Sequence, residues 1–386
     1  MKTPMVMKPL PLIIILLILN HVASYGSRVT VTLFAIDQKS SAFTIGLLMA
    51  LYALLPALLS VASGRWIDRI GVEKPFQLGS IAVGVGTFAA FLWPSIYALY
   101  FTSVIVGLGF MLINVAAYHA VGEMSSAGER PINFSYVALG FSTSTFIAPI
   151  LSGVIIDNFG HRMTFLVLTL FTVLPIIALS FRLLPMHRPH KSEEEKPSGP
   201  VLDLLKDTEV RRLFINMTIL TVAWDVYGFA IPIHGSNIGL SASEIGIVMG
   251  AFAAATFSVR LAMPFLVQHM RPWGVLKFSL LVAGCSFALI PFTHHIGLLM
   301  VLIFVLGLGL GAPQPMALTL LHETTPKGRA GEALGLRTTL INTSQTTMPM
   351  LFGLVGAAFG LAPIFWAMAF FLIGGGALTG DKPRKH

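Results

Sequence analysis

Residues 143–165, TSTFIAPILSGVIIDNFGHRMTF, and residues 343–365, TSQTTMPMLFGLVGAAFGLAPIF, spell one skeleton twice. Thr143, Ser144, Pro149, Gly153, Phe159, Gly160 and Phe165 recur 200 positions later as Thr343, Ser344, Pro349, Gly353, Phe359, Gly360 and Phe365. The same offset pairs Ser41, Ala42, Ile45 and Gly46 with Ser241, Ala242, Ile245 and Gly246, and Gly107-Leu108-Gly109 with Gly307-Leu308-Gly309. A repeat spread this widely makes each half of the chain a copy of the other.

Composition fixes the solvent of both copies. With 55% hydrophobic residues, 11% charged residues and a mean hydropathy of +0.81 over 386 residues, there is too little polar surface to coat a soluble globule. Twelve apolar runs are long enough to cross about 30 Å of hydrocarbon as helices. They cover residues 10–34, 43–63, 75–93, 96–119, 132–156, 163–184, 213–233, 242–266, 275–293, 296–320, 332–356 and 361–380. The expected fold is all-α, with two pseudo-symmetric six-helix bundles at 1–184 and 213–386 and a polar linker at 185–212. Two repeated halves in a membrane predict a solute pathway between them.

The first run, with Lys2 and Lys8 ahead of it, has the outline of a signal peptide but continues through Phe34 without a convincing cleavage site, and reads as a spanning helix. Cys285 is the one cysteine, so disulfide or thiol-metal chemistry is not expected, and neither a metal nor a cofactor is.

Lysine and arginine fall asymmetrically. With both termini in the cytoplasm, Lys39 and Arg162 lie outside, Arg28, Arg260 and Arg337 lie within runs, and all the others of the 25 face the cytoplasm or its membrane border. The net charge of +8 then reflects topology and anionic lipid headgroups, and the basic pairs need no nucleic acid. The linker carries Glu193-Glu194-Glu195 and Pro197-Ser198-Gly199-Pro200, a solvated stretch, and residues 203–207 can begin a short surface helix. The reading places a monomer in the inner (plasma) membrane.

Between the second and third runs stands Gly64-Arg65-Trp66-Ile67-Asp68-Arg69-Ile70-Gly71-Val72-Glu73-Lys74. Gly64 and Gly71 permit a tight reversal or close helix approach, Asp68 can accept from a positive helix N-terminus, and Arg65 and Arg69 suit the headgroup layer. The stretch resembles the loop signature of the major facilitator superfamily, Gly-x-x-x-Asp-Arg-x-Gly-basic-basic. The duplication, the twelve runs and the central linker extend the resemblance over the whole chain. It implies the major facilitator fold, alternating access, and a gating role for Gly64, Asp68, Arg69 and Gly71 in latching the two halves on the cytoplasmic side.

The chain departs from the family pattern in several places. Val72-Glu73 stands where basic residues are usual, and the equivalent His269-Met270-Arg271-Pro272 has lost the motif, so the latch would be one-sided. Ala148-Pro149-Ile150-Leu151-Ser152-Gly153 replaces the Gly-Pro-x-x-Gly-Gly element of many proton-driven exporters, and Ser103-Val104 stands where those exporters carry an arginine. Export and uptake both stay open. Pro149 and Pro349 each remove a backbone bond within a run, giving matched kinks that serve rocking or plain packing.

Charges at membrane depth cost several kcal/mol unless paired or wetted. Arg28 in the first run, Asp225 in the seventh, Arg260 in the eighth and Arg337 in the eleventh are therefore candidate site residues. Tyr25-Gly26-Ser27-Arg28 lies near the position matching Asp225-Val226-Tyr227-Gly228, and in the resembled fold these runs meet across the pathway. Arg28 and Asp225 can form a permanent ion pair, a proton-coupling pair that opens with the cycle, or a substrate contact. Arg337 and Arg260 suit carboxylate or phosphate, although Arg337 has Glu332 nearby in sequence. Asn342 and Gln345 share a face of the polar stretch 338–347, and Asn114 and Tyr118 form a comparable stripe in the fourth run. His21, Asn20, Tyr25 and Trp224 adjoin the charged positions and can join the network or pack.

The residues point to a secondary carrier of a small molecule, proton-coupled through Asp225 and exporting a drug or metabolite. An organic-anion carrier is the alternative, favoured by three intramembrane arginines against one aspartate. A non-transporting sensor stands third. An enzyme is not expected, because no Ser/His/acid constellation, metal cluster or phosphate-cradling loop is visible.

Overall fold

The computed structural model describes residues 9–125, 130–181, 201–269, 272–325 and 329–378. Residues 193–195, 197–200 and 270–271, singled out above for their charge or turn chemistry, lie outside this set, as do Lys2 and Lys8. The described residues are helical throughout, without a strand among them: α1 Pro9–Asp37, α2 Ala42–Ile70, α3 Glu73–Leu92, α4 Ile96–Met124, α5 Arg130–Ser180, α6 Thr208–Asn237, α7 Ala242–His269, α8 Pro272–Leu289, α9 Ile296–Gly311, α10 Pro313–Thr324, α11 Ala330–Phe359 and α12 Ala362–Leu378. Among them, eight helices are long and apolar enough to cross a membrane, and α9 and α12 are shorter apolar helices.

One expected boundary shifts and another is kept. Runs five and six are two helices within the range given for α5, divided as expected at Gly160, whose φ of 80° no helix accommodates and glycine tolerates. Run ten is broken into α9 and α10 at Pro313, which lacks the N–H that would continue the ladder. The signature stretch also sits differently from expectation. α2 continues through Gly64 to Ile70, so the reversal is made by Gly71 alone, at φ 84°. A methyl group at Gly64 would meet nothing within 4 Å, so this glycine neither turns the chain nor admits a close neighbour here.

Ahead of α6, a short 3-10 helix covers Val201–Lys206, and Asp207 then caps α6 by accepting from the Glu209 and Val210 amides at 2.7 and 3.1 Å. Lys206 Nζ stands 2.8 Å from Asp203 and its hydrogen bond holds that exposed carboxyl below the ordinary aspartate range.

Two compact units result. The first comprises Met1–Ser40, Leu47–Glu193 and Ser241–Ile247, and the second comprises Ser41–Gly46, Glu194–Leu240 and Val248–His386. The opening turn of α2 thus belongs to unit 2 and that of α7 to unit 1. Unit 1 is built on Ile13, Leu16, Leu17, Phe76, Val106 and Ile113, all sealed from solvent. Unit 2 buries Phe252, Phe287 and Phe365 completely and Tyr227 and Phe229 almost so. Large apolar side chains such as Phe181, Phe370, Leu58 and Phe278 project outward, which suits a lipid solvent.

The repeated glycines mark backbone crossings. In unit 1 a methyl at Gly79 would lie 2.5 Å from the Gly109 carbonyl oxygen of α4, and one at Gly107 would overlap the Tyr52 carbonyl of α2. In unit 2 a methyl at Gly307 would lie 2.6 Å from the Phe252 carbonyl of α7, and one at Gly309 would lie 3.2 Å from the Ser279 carbonyl of α8.

Candidate functional site

The Pro149 and Pro349 segments are where these opening turns land. In unit 1 the start of α7 lies against α5: a methyl at Gly153 would overlap the Ala242 carbonyl, and one at Gly246 would overlap the Pro149 carbonyl. In unit 2 the start of α2 lies against α11 in the same way, with Gly46 on the Pro349 carbonyl and Gly353 on the Ala42 carbonyl. Only small residues allow such approach, so the glycines and prolines of the repeat are one packing device used twice.

The two devices differ in their polar fittings. Asp157 accepts from the backbone amides of Ala242 at 3.0 Å and Ser243 at 2.8 Å, satisfying orphan donors at the positive end of α7. Glu244 accepts from the Ser241 amide at 2.8 Å while Ser241 Oγ accepts from Glu244, a reciprocal capping box. Position 357, equivalent to Asp157, is alanine, and position 44, equivalent to Glu244, is threonine, whose amide Ser41 Oγ caps at 3.1 Å.

Deeper along the same helices, the repeated serines meet titratable groups. In unit 1, Ser144 Oγ lies 2.9 Å from the Gly140 carbonyl oxygen and shares a short hydrogen bond with His21 Nδ1. In unit 2, Ser344 Oγ donates to Asp225 Oδ2 at 2.8 Å, and Asp225 is buried. One serine position therefore meets a histidine in one copy and donates to a carboxylate in the other.

His21 sits in an aromatic nest at the junction of α1, α4 and α5. Its ring centroid is 4.8 Å from Phe141, edge-on, 5.0 Å from Phe110 and 5.7 Å from Tyr25. Tyr118 stacks on Phe141 at 6.3 Å and lies 5.9 Å from Phe134. Asn114 stands one turn from both Phe110 and Tyr118 on α4, and its Oδ1 is buried without a hydrogen-bond donor. In unit 2 the positions matching Phe110, Phe134 and Phe141 are Leu310, Leu334 and Ile341.

The structure brings some of the expected site residues together and separates others. Arg28 Nε donates to Met49 Sδ at 3.0 Å, near Ser27 and Tyr52, whose hydroxyls lie 3.1 Å apart. Arg28 belongs to unit 1 and Asp225 to unit 2. Trp224 and Tyr227, flanking Asp225, pack on Phe252 at 4.8 and 3.8 Å, a packing role for Trp224. Arg337, Asn342 and Gln345 are half-buried on α11 with Ser344 among them, and Arg260 is half-buried on α7. Nothing is described of the Glu332 side chain.

Asp68 does not cap a helix within its own unit. His119 Nε2 of α4 lies 3.0 Å from Asp68 Oδ1, with Glu123 3.6 Å from the other ring nitrogen. His119, Asp157, Met49 and the two serines were not among the residues marked from sequence. The serines had a signal, since they belong to the repeated skeleton. His119 had none, because 51 positions separate it from Asp68.

Among the described residues, no group of three or more His, Cys, Asp or Glu side chains is arranged to hold a metal.

Comparison with known proteins agrees with this architecture. The family model for the Major Facilitator Superfamily matches residues 13–224 and again 213–385. The chain is 23% identical over 356 residues to the uncharacterized MFS-type transporter YuxJ of Bacillus subtilis, covering 88% of this chain and 87% of that one. It is 23% identical over 341 residues to the quinolone resistance protein NorA of Staphylococcus aureus, at 86% and 85% coverage. A bacterial homolog of the human lysosomal transporter Spinster, solved inward-facing, superposes with a TM-score of 0.76 at 15% identity over 97% of both chains. A peptide-transporter (POT) family structure superposes at 0.78 with 14% identity, over 96% of this chain and 94% of that one. Duplication, signature stretch, helical architecture and family match lead to one statement: this chain belongs to the Major Facilitator Superfamily, a family of multi-pass membrane transporters of small molecules.

Proposed function

We propose that this transporter exports a small drug or metabolite by proton-coupled alternating access. The observation that carries the coupling is Asp225, a buried carboxyl in a membrane helix held by the Ser344 hydroxyl at 2.8 Å. Such a group exchanges a proton when its hydration changes between conformations. The resistance names carried by NorA and by multidrug resistance protein 2 of Bacillus subtilis, the latter 28% identical over 42% of each chain, support the outward direction.

In this reading Asn114, Tyr118, Asn342, Gln345 and Arg337 contact substrate, and Arg260 contributes positive potential. Asp68, Arg69 and the Gly71 turn act in gating, as do the Pro149 and Pro349 segments. The protein works as a monomer in the inner membrane with cytoplasmic termini. An organic-anion carrier is the second reading, favoured by the half-buried Arg28 and Arg337.

The test is flux in proteoliposomes under an imposed pH gradient, with ethidium and indole-3-acetate as probes. Protein-dependent movement of either probe that also collapses the gradient supports proton coupling. Movement indifferent to the gradient would leave a uniporter and remove Asp225 from the mechanism.

A further inference from the structure

We infer that unit 1 carries its own binding subsite, and that the ligand it takes is a planar aromatic acid bearing a hydrogen-bond donor. This rests on the carrier reading and narrows its substrate class.

Three observations within unit 1 converge. The first is the ring nest of His21, Tyr25, Phe110 and Phe141, with centroid separations of 4.8 to 6.3 Å among its contacting pairs. None of the four is wholly buried in the core, and aromatic side chains of this kind can stack a further flat ring. The second is Asn114, one turn from Phe110, whose amide oxygen is desolvated and receives no donor. An unmet acceptor of this kind is costly to leave desolvated, and a ligand N–H or O–H satisfies it.

The third is charge. Arg28 continues the face of α1 that carries His21 and Tyr25, about 4.5 Å further along the axis than Tyr25. Its Nε is occupied by Met49 Sδ, and among the described residues no carboxylate of unit 1 stands within ion-pair distance. A guanidinium at membrane depth with no acid of its own unit beside it keeps N–H groups in a fork suited to a carboxylate. A cation would meet repulsion from Arg28, so the ring nest is matched to an anion with an aromatic body.

Thermal unfolding of the purified full chain in detergent tests this, using three probes of graded chemistry. Indole-3-acetate has ring, donor and carboxylate; tryptamine has ring and donor with a cation; hexanoate has only the acid. Indole-3-acetate is expected to raise Tm saturably, and the other two to leave it within error at equal concentration. Arg28→Gln, Phe141→Ala and Asn114→Leu are each expected to weaken indole-3-acetate at least tenfold. Stabilisation by tryptamine equal to that by the acid would overturn the subsite, as would acid binding that survives Arg28→Gln because Arg28 serves a carboxylate elsewhere in the chain.

Should Arg28→Gln fail to fold, Arg28→Lys keeps the charge but loses the fork. It is expected to weaken the acid several-fold, and unchanged affinity in both Arg28→Lys and Asn114→Leu would overturn the proposal. Binding is read here without a gradient, so its failure is separate from failure of proton coupling.

Discussion

The two copies of this chain keep their backbone contacts and exchange their chemistry. At the α5–α7 crossing of unit 1 and the α11–α2 crossing of unit 2, glycine meets proline carbonyl in the same register. Around that shared frame, unit 1 carries Asp157 on a helix N-terminus, a histidine hydrogen-bonded to Ser144 and a nest of aromatic rings. Unit 2 carries alanine at the cap position, a buried aspartate on Ser344, and aliphatic residues where the rings stood. Contacts that need backbone against backbone resist divergence because almost any added atom collides, whereas a side chain lining polar space can change type without moving the helices.

Overfilling the crossings should break the likeness hardest. Gly153→Leu or Gly246→Leu in unit 1, and Gly46→Leu or Gly353→Leu in unit 2, are each expected to cost about 1–3 kcal/mol or more by overpacking. Thermal unfolding should report similar losses for both crossings, and a large loss on one side only would mean that the frame is not shared.

The next effect separates the serines. Ser344→Ala removes a donor from a buried carboxylate, worth about 1.5–3 kcal/mol for a hydrogen bond to charge, and should cut gradient-driven flux about tenfold. Ser144→Ala should change that flux less than threefold, because no carboxylate loses its partner there. Equal effects in the flux assay would erase the distinction between the two units.

Smaller still is the cap. Asp157→Ala should lower stability by about 0.5–2 kcal/mol, read as a fall in Tm, and Ala357→Asp should add a few tenths to about 1 kcal/mol at the equivalent helix end. No gain from Ala357→Asp would mean that the α2 start presents its amides differently. The exposed Asp68–His119 pair is the weakest element. His119→Asn is expected to cost under about 1 kcal/mol, and a larger loss would assign it more than a surface role.

Much of this architecture was legible in sequence because the repeat and the hydropathy are periodic signals that survive without coordinates. The glycine and proline pairs at positions 46, 149, 246 and 349 were visible as a pattern, yet not as partners, since nothing local says that residue 246 rests on residue 149. The same limit hid Asp157, whose partners lie 85 and 86 positions away. Within its own unit Asp68 meets His119, a contact hidden in sequence, because α2 runs on to Ile70 and carries the carboxylate to the α4 side. Charged residues at membrane depth were legible because their cost marks them, whereas the ring nest was not, since aromatic residues are common in any membrane helix.

The most direct test of the account is gradient-driven flux by wild type and Asp225→Asn in matched proteoliposomes, alongside solute counterflow without a gradient. The account predicts that the variant loses the response to the pH gradient by at least tenfold while counterflow continues. A variant that still concentrates solute against its gradient as wild type does would contradict proton coupling through Asp225.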